Sequence, residues 1–123
     1  KLGLVPGDGG GYYLPRIIGL DKALEMLWTG DIIDANKALN MGLITRTIEH
    51  EDLFNETYQF AERLARGPQQ AIRLIKRTVI QGQRQDLRAS LDQVSSFMGL
   101  VVEHHDHQEG LNALIEKRKP NFE

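Results

Sequence analysis

The sequence predicts a mainly α-helical fold with at most one or two short strands. Apolar side chains recur at three- and four-residue spacings through most of the chain, which is the period of an amphipathic helix. Glycines follow several of these stretches, where a helix end often takes the left-handed conformation. Only residues 43–49 alternate apolar and polar side chains with β-branched residues, which is typical of a short strand or extended segment.

The first helix is predicted from the sequence YYLPRIIG. It is expected to begin near Gly10 or Gly11 and to end at Gly19. Pro15 would then lie in the first turn, where a missing N–H costs no intrahelical hydrogen bond.

The next two helices are short, and each has a start signal and a stop signal. Asp21 is the expected N-cap of one helix, which ends at Gly30. Asp34 is the expected N-cap of the other, a two-turn helix that Gly42 ends in the left-handed conformation. The alternating segment 43–49 follows directly.

Four further helices fill the rest of the chain. The Gly67-Pro68 pair ends the first of them, and Gly82 ends the second. The third is the longest and carries a wide apolar stripe. The fourth ends before Pro120. Their expected ranges are 51–66, 71–81, 84–104 and 107–119.

Composition argues against several functional classes. With 15 lysines and arginines against 17 aspartates and glutamates, the net charge of -2 gives no reason to expect nucleic acid or an anionic membrane as a partner. The chain has no cysteine, so it has neither a disulfide framework nor a thiolate nucleophile, and we expect a cytoplasmic protein. No apolar run approaches the ~20 residues of a membrane span, and no signal-peptide pattern opens the chain.

The most unusual stretch is LVPGDGGGYYLP, residues 4–15. A glycine loop that opens a helix can bind a phosphate through backbone N–H groups. Here Tyr12 stands where the third glycine of G-x-G-x-x-G would be, and no Lys-Ser/Thr pair follows to make a P-loop. A tight turn is therefore favoured over a ligand-contacting loop, and Asp8 is expected to cap the following helix.

Two polar clusters lie near the C-terminus. Residues 103–107 bring three histidines and two carboxylates together, as metal sites do. His104 and His107 are three residues apart, whereas a zinc helix motif needs four, so a solvated helix end is favoured and no metal is expected. The basic run 117–119 is either a solvated tail or a site for a phosphate group.

Three blocks of sequence carry a resemblance to a known family: LGLVPGDGGGYYLPRIIG, KALEMLWTGDIIDANKALNMGLI and EGLNALIEKRKPNF. By them the chain resembles the C-terminal half of the crotonase superfamily, also called enoyl-CoA hydratase/isomerase. The resemblance spans essentially all 123 residues. It implies that residues 1–123 are the C-terminal helical and oligomerisation part of a crotonase-like α/β spiral fold. The absence of an initial Met agrees with an origin in a longer chain.

The resemblance implies an enzyme that hydrates 2-enoyl-CoA thioesters. In such hydratases backbone N–H groups polarise the thioester carbonyl, and two glutamates transfer water and a proton. The oxyanion hole and one glutamate belong to the N-terminal half, and the other glutamate would fall immediately before Lys1. This chain alone is therefore expected to contain no catalytic residue and to be inactive. CoA enters as part of the substrate, and no separate cofactor is expected.

Four positions match substrate-binding residues of the family. Pro6 and Gly7 would line the acyl end of the pocket, whereas Leu114 would approach the adenine and Lys117 the phosphate of the CoA adenosine. Some related isomerases have a catalytic aspartate at the position of Gly7. Asp8 lies one residue later and does not inherit that role, which favours a hydratase over an isomerase.

The resemblance also implies a homo-oligomer, a trimer or hexamer in the full-length form, with an acyl-CoA substrate. One alternative from another functional class is a helical self-assembly module without its own catalysis, which the wide apolar stripe of residues 84–104 indicates. The other alternative is an acyl-CoA isomerase of the same superfamily.

Overall fold

The structure, a computed structural model, describes residues 3–122 and confirms the mainly α fold. The chain divides into two compact units, one up to Leu53 and one from Phe54 onward, within the range predicted as one helical part. Between residues 3 and 122 no helix is both long and apolar enough to cross a membrane. In chain order the helices are α1 (Gly10–Ile18), α2 (Leu20–Thr29), α3 (Ala35–Met41), α4 (Leu53–Ala65), α5 (Gln69–Gly82), α6 (Leu87–Val102) and α7 (His105–Glu116).

In the first unit α1 packs against α2 and buries Ile18 and Ala23. The predicted bounds of α1 are confirmed, but the predicted place of Pro15 is wrong. Because α1 begins at Gly10, Pro15 lies beyond the first turn, inside the helix. The helix therefore does without the hydrogen bond that an N–H at this residue would donate to the carbonyl of Gly11.

Capping in the first unit follows the prediction at some helix ends and departs from it at others. Asp34 Oδ1 accepts a hydrogen bond from Lys37 N at 2.7 Å, which confirms the N-cap of α3. Gly30 and Gly42 both take the left-handed conformation, with φ of 60° and 85°. The N-cap assigned to Asp21 is wrong, because Gly19 occupies that position and Asp21 lies in the first turn of α2.

The alternating segment 43–49 is extended or bent, and it forms no strand. Of the two predicted possibilities, the extended segment is the one observed. A strand requires a neighbour that completes its ladder of hydrogen bonds, and residues 3–122 provide no such neighbour for this segment.

In the second unit the turn between α4 and α5 is fixed by a side chain and a glycine. The Gln69 side chain donates to the carbonyls of Leu64, Ala65 and Gly67 at 2.7, 2.9 and 3.0 Å, so carbonyls at the end of α4 gain a partner. A Cβ at Gly67 would lie 2.8 Å from Ile72 Cδ1 and 3.3 Å from the Leu64 carbonyl oxygen, so a larger residue here would displace the end of the Ile72 side chain.

The rest of the second unit is a chain of packed helices, α5 against α6 and α6 against α7. Asp86 caps α6 by accepting a hydrogen bond from Ala89 N at 2.9 Å. The predicted start of this helix at residue 84 is therefore slightly early, because a side-chain cap at residue 86 places the first helical residue after it. Ala113 and Asp106 of α7 are buried.

Candidate functional site

The glycine-rich turn leads directly into α1, and its geometry depends on Gly9 and Gly10. Gly9 is the N-cap of α1 with φ of 82°, a conformation that glycine adopts at little cost. The prediction that Asp8 caps this helix is therefore wrong. A Cβ on Gly10 would lie 3.0 Å from Pro6 Cβ, so the proline ring packs against the first turn of α1.

Pro6 and Gly7 are both exposed on this turn. A Cβ added at Gly7 meets no atom within 4 Å, so the space beside Gly7 is open. The structure thus places the two predicted acyl-pocket residues side by side, on a loop whose shape is fixed by the start of α1. Whether they line an acyl pocket stays a prediction.

Two tyrosines without a predicted role, Tyr12 and Tyr13, lie next to this turn. A Cβ on Gly9 would lie 3.0 Å from the ring of Tyr13, so that ring packs on the N-cap of α1. Tyr12 makes an edge-to-face contact with Tyr13 at 5.1 Å between centroids. The Arg16 guanidinium lies 3.7 Å from the Tyr12 ring centre, within the range of a cation–π contact.

Leu114 and Lys117 lie at the end of α7. Leu114 is 76% exposed, and Lys117 is exposed immediately after the last helical residue. The N–H of Lys117 donates to the carbonyl of Leu114 at 3.3 Å, and that of Arg118 donates to Ala113 at 3.0 Å. This pair of hydrogen bonds is a Schellman motif, in which the residue after the helix usually is glycine.

Lys117 occupies this glycine position with φ of 54° and is the sole non-glycine residue with positive φ between residues 3 and 122. The left-handed conformation costs a residue with a Cβ about 1–2 kcal/mol. The charge of Lys117 is visible in the sequence, whereas no sequence signal indicates its backbone conformation. A lysine rather than a glycine here places an ammonium group beyond the helix end at a cost in stability.

Arg118 is held by two carboxylates of α7. Its Nη1 and Nη2 donate to the two oxygens of Glu109 at 2.5 and 2.9 Å. Its Nε donates to Glu116 Oε2 at 2.5 Å. Glu109 Oε1 also accepts the backbone N–H of Asn121 at 2.7 Å, so Glu109 connects the helix to the tail that follows it.

The contacts between Glu109 and Arg118 shift the pKa values of both side chains. The hydrogen bond from Arg118, followed by that from the Asn121 N–H, lowers the pKa of Glu109 from 4.5 to about 2. The hydrogen bonds from Glu109 and then Glu116 raise the pKa of Arg118 above its ordinary value. The charge of Arg118 is therefore matched by carboxylates, whereas Lys117 makes no ion pair within residues 3–122.

The histidine cluster lies where α6 gives way to α7. His104 Nδ1 accepts the N–H of Asp106 at 3.3 Å and is the N-cap of α7. The prediction of a solvated helix end holds for His105, which is exposed, and is wrong for Asp106, whose side chain is 5% exposed. His104 Nδ1 and His105 Nε2 lie 3.4 and 3.2 Å from its carboxylate oxygens, yet neither oxygen accepts a hydrogen bond with good geometry.

This cluster contains the donor types of a metal site. One ligand atom each from His104, His105 and Asp106 lies within 4.8 Å of the others. Nδ1 of His104 is already used as the cap of α7, and the positive end of a helix dipole disfavours a cation. We therefore interpret the cluster as a helix start that buries a carboxylate, rather than as a metal centre.

The four predicted site residues form two pairs. Pro6 and Gly7 share the turn before α1 in the first unit, and Leu114 and Lys117 share the end of α7 in the second. Each pair has a defined local geometry within its own unit. The second pair consists of an exposed apolar side chain and an exposed lysine whose backbone N–H donates to the Leu114 carbonyl.

Comparison with known proteins gives matches along the whole chain. A family model described as Enoyl-CoA hydratase/isomerase matches residues 1–123. A crotonyl-CoA hydratase of Syntrophomonas wolfei subsp. wolfei is 36% identical over 121 residues, which are 98% of this chain and 46% of that protein. A 1,2-epoxyphenylacetyl-CoA isomerase of Escherichia coli K12 is 32% identical over 122 residues, 99% of this chain and 47% of that protein.

The fold also matches a solved structure. The crystal structure of an enoyl-CoA hydratase from Bacillus anthracis is similar with a TM-score of 0.91 and 34% identity, over 98% of this chain and 47% of that one. The chain thus spans about half the length of these relatives.

Proposed function

The chain belongs to the enoyl-CoA hydratase/isomerase family, and from this membership we propose that the whole protein hydrates 2-enoyl-CoA thioesters. The observation that carries the proposal within this chain is the end of α7. There Lys117 takes a left-handed conformation and lies next to the exposed Leu114. This is the place where the family resemblance puts the adenosine part of CoA.

The proposed roles follow from the chemistry of the side chains. The Lys117 ammonium acts as a point charge for the phosphate on the CoA adenosine. Leu114 offers an apolar contact to the adenine ring. Pro6 and Gly7 line the acyl end of the pocket. CoA is part of the substrate, and no separate cofactor is proposed.

The proposed chemistry also needs groups outside residues 1–123. Backbone N–H groups that stabilise the developing enolate, and two glutamates that transfer water and a proton, complete the site in the proposed whole protein. No residue of this chain is proposed to act on the reacting carbons. We further propose that the protein is cytoplasmic.

A steady-state assay of crotonyl-CoA hydration by the full-length protein tests this proposal. We expect Lys117→Met to raise KM for crotonyl-CoA about tenfold, equivalent to ~1.4 kcal/mol of binding, with kcat little changed. Lys119→Met removes a cation of the same run and is the matched control, expected to leave both constants unchanged. Absence of crotonyl-CoA turnover by the wild-type protein would contradict the proposed reaction.

An isomerase of the same family is the nearest alternative reaction, since one relative is named an isomerase. The residue at position 7 bears on this choice, because some related isomerases have a catalytic aspartate there and a Cβ at Gly7 would meet no atom within 4 Å. This chain has glycine there, which supports the hydratase. Assaying the same enzyme preparation with an epoxyacyl-CoA separates the two: turnover of the epoxide without hydration of crotonyl-CoA would favour the isomerase.

Self-assembly is a second candidate function and has its own observation. A groove of about 270 Å³ between α5 and α6 has Thr78 as its one polar residue. Burial of such a surface contributes ~25 cal/mol per Å², so an exposed one favours association. We propose that this face takes part in a homo-oligomer, a trimer or hexamer in the whole protein. Its apolar lining consists of Ala71, Leu74, Ile75, Val79, Val94, Phe97, Met98 and Val101.

A further inference from the structure

We propose that Glu109 is a positioning residue for the CoA phosphate: it fixes the backbone around Lys117, so that the lysine ammonium is presented in a defined place beyond α7. The inference rests on the proposed function of Lys117. It adds a residue that acts through its neighbours and does not itself contact the ligand.

Glu109 connects the residues around Lys117 through its hydrogen bonds. Both of its carboxylate oxygens hold the Arg118 guanidinium, which in turn holds Glu116 through Nε. Residues 116 and 118 are the two chain neighbours of Lys117, so one guanidinium restrains the chain on both sides of it. Glu109 Oε1 also accepts the N–H of Asn121, which fixes the tail further along.

The end of α3 provides a comparison within the same chain. There the N–H groups of Gly42 and Leu43 donate to Leu39 and Ala38 at 3.0 and 2.9 Å, the same motif as at the end of α7. At α3 the position with positive φ is Gly42, and Leu43 follows it. At α7 the corresponding positions are Lys117 and Arg118. A lysine thus occupies the strained position, and the residue after it, Arg118, forms the hydrogen bonds to Glu109 and Glu116.

A fixed backbone at Lys117 reduces the entropy that its side chain loses when it binds an anion. A lysine ammonium lies at the end of a flexible four-carbon stem and loses conformational freedom when it binds an anion. Fixing the backbone at residue 117 fixes the direction in which this stem leaves the chain. The ammonium then samples a smaller volume before the ligand arrives, which reduces the entropy lost on binding.

A purely structural ion pair is the competing explanation. Exposed salt bridges often contribute little to stability, and loss of a structural pair would weaken all ligands to the same extent or none at all. A positioning role predicts an effect confined to the phosphate that Lys117 contacts. The two explanations therefore differ in which ligand is affected.

The experiment measures Kd by calorimetry in the full-length protein for CoA and for dephospho-CoA, which lacks the phosphate on the adenosine ribose. Glu109→Gln keeps the size of the side chain but removes its charge, and Arg118→Lys keeps the charge but removes the fork. Glu62→Gln is the control, because Glu62 forms a carboxylate–guanidinium pair with Arg66 at 2.6 Å on α4, away from Lys117 and more exposed than the pair of Glu109.

We expect Glu109→Gln and Arg118→Lys each to raise the Kd for CoA about threefold and to leave the Kd for dephospho-CoA unchanged. In the control, Glu62→Gln, both Kd values should equal those of the wild type. We expect Lys117→Met to weaken CoA binding about tenfold, and Glu109→Gln to have no further effect in the Lys117→Met background. If Glu109→Gln weakens the binding of CoA and dephospho-CoA equally, or weakens neither, the positioning role of Glu109 is overturned. The proposed role of Lys117 is unaffected by that result. An unchanged Kd in Lys117→Met overturns both, and no binding of CoA to the wild type overturns the proposed function itself.

Discussion

Lys117 occupies a backbone position that the same chain gives to glycine at the end of α3. Both helices end with the same pair of hydrogen bonds, yet φ is 54° at Lys117 and 85° at Gly42. The left-handed conformation of Lys117 lowers the stability of the fold, and within residues 3–122 its ammonium forms no ion pair that would compensate for this cost. Such a combination is typical of sites where strain supports function.

Replacement of Lys117 by glycine is therefore expected to stabilise the protein. Lys117→Gly removes the left-handed strain but adds chain entropy to the unfolded state, so we expect a gain of roughly 0.5–1 kcal/mol in the free energy of unfolding. Urea denaturation measures it. Lys117→Ala keeps the strain and is the control, with no gain expected. A loss of stability in Lys117→Gly would show that the lysine conformation is not strained.

The ionisation of Glu109 gives a prediction about pH. Its pKa in the folded chain is about 2, below its ordinary 4.5, because of Arg118 and the Asn121 N–H. A lowered folded-state pKa stabilises the protein above pH 4.5, and this contribution is lost as the pH falls through 4.5 toward 2. Carbon-detected NMR titration of the Glu109 carboxyl should give a midpoint near 2.

The stability of Glu109→Gln checks the same statement independently. The wild type should exceed this variant in stability by a constant amount above pH 4.5, and the difference should shrink below that pH. A titration midpoint near 4.5 would contradict the described contacts of Glu109 with Arg118 and the Asn121 N–H. A stability difference between the wild type and Glu109→Gln that stays constant below pH 4.5 would contradict them as well.

Among the elements, the turn before α1 contains glycines with different requirements. Gly9 has φ of 82° and packs under the Tyr13 ring, whereas Gly7 has open space around it. Gly9→Ala should lower the free energy of unfolding by about 1–2 kcal/mol. Gly7→Ala is the matched control and should change it little. Thermal unfolding of the two variants makes the comparison, and equal Tm values would contradict the described turn.

Sequence predicted the helices well because helix signals are local. Apolar periodicity, the Asp34 cap and the glycine ends at residues 30 and 42 act within a few residues, and all are confirmed. The caps assigned to Asp8 and Asp21 are wrong, because each lies within two residues of a glycine that takes the N-cap position. The choice between a strand and an extended segment at 43–49 depends on a pairing partner, which no local pattern supplies.

The candidate site was only partly predictable for the same reason. The charge of Lys117 and its place near the C-terminus are visible in the sequence, and its assignment to a phosphate stays a prediction. Its left-handed conformation could not be predicted, because glycine is the usual residue there. The burial of Asp106 could not be predicted either, because a run of five polar residues at 103–107 is typical of a solvated helix end.

At the scale of the whole molecule, few side chains are fully buried and many large apolar ones are exposed. An exposed apolar surface of this extent is expected to associate. Val79 lies in the groove between α5 and α6 and is 59% exposed, whereas Ile32 is fully exposed outside it. We expect Val79→Glu to reduce association of the chain and Ile32→Glu to leave it unchanged.

Light scattering over a range of concentrations measures this association. The wild type should show an average mass above the 13.9 kDa of one chain, and Val79→Glu should shift it toward that value. A wild-type chain that is monomeric at every concentration would contradict the assembly proposal, while the acyl-CoA proposal would be unaffected.

A crystal structure of the full-length protein with CoA would show whether the end of α7 binds the adenosine phosphate of a CoA thioester. We expect Lys117 Nζ to lie about 2.7–2.9 Å from a phosphate oxygen, as in charge-assisted hydrogen bonds, with the adenine ring against Leu114. CoA bound with its adenosine phosphate far from α7, and Lys117 contacting only solvent, would contradict this expectation.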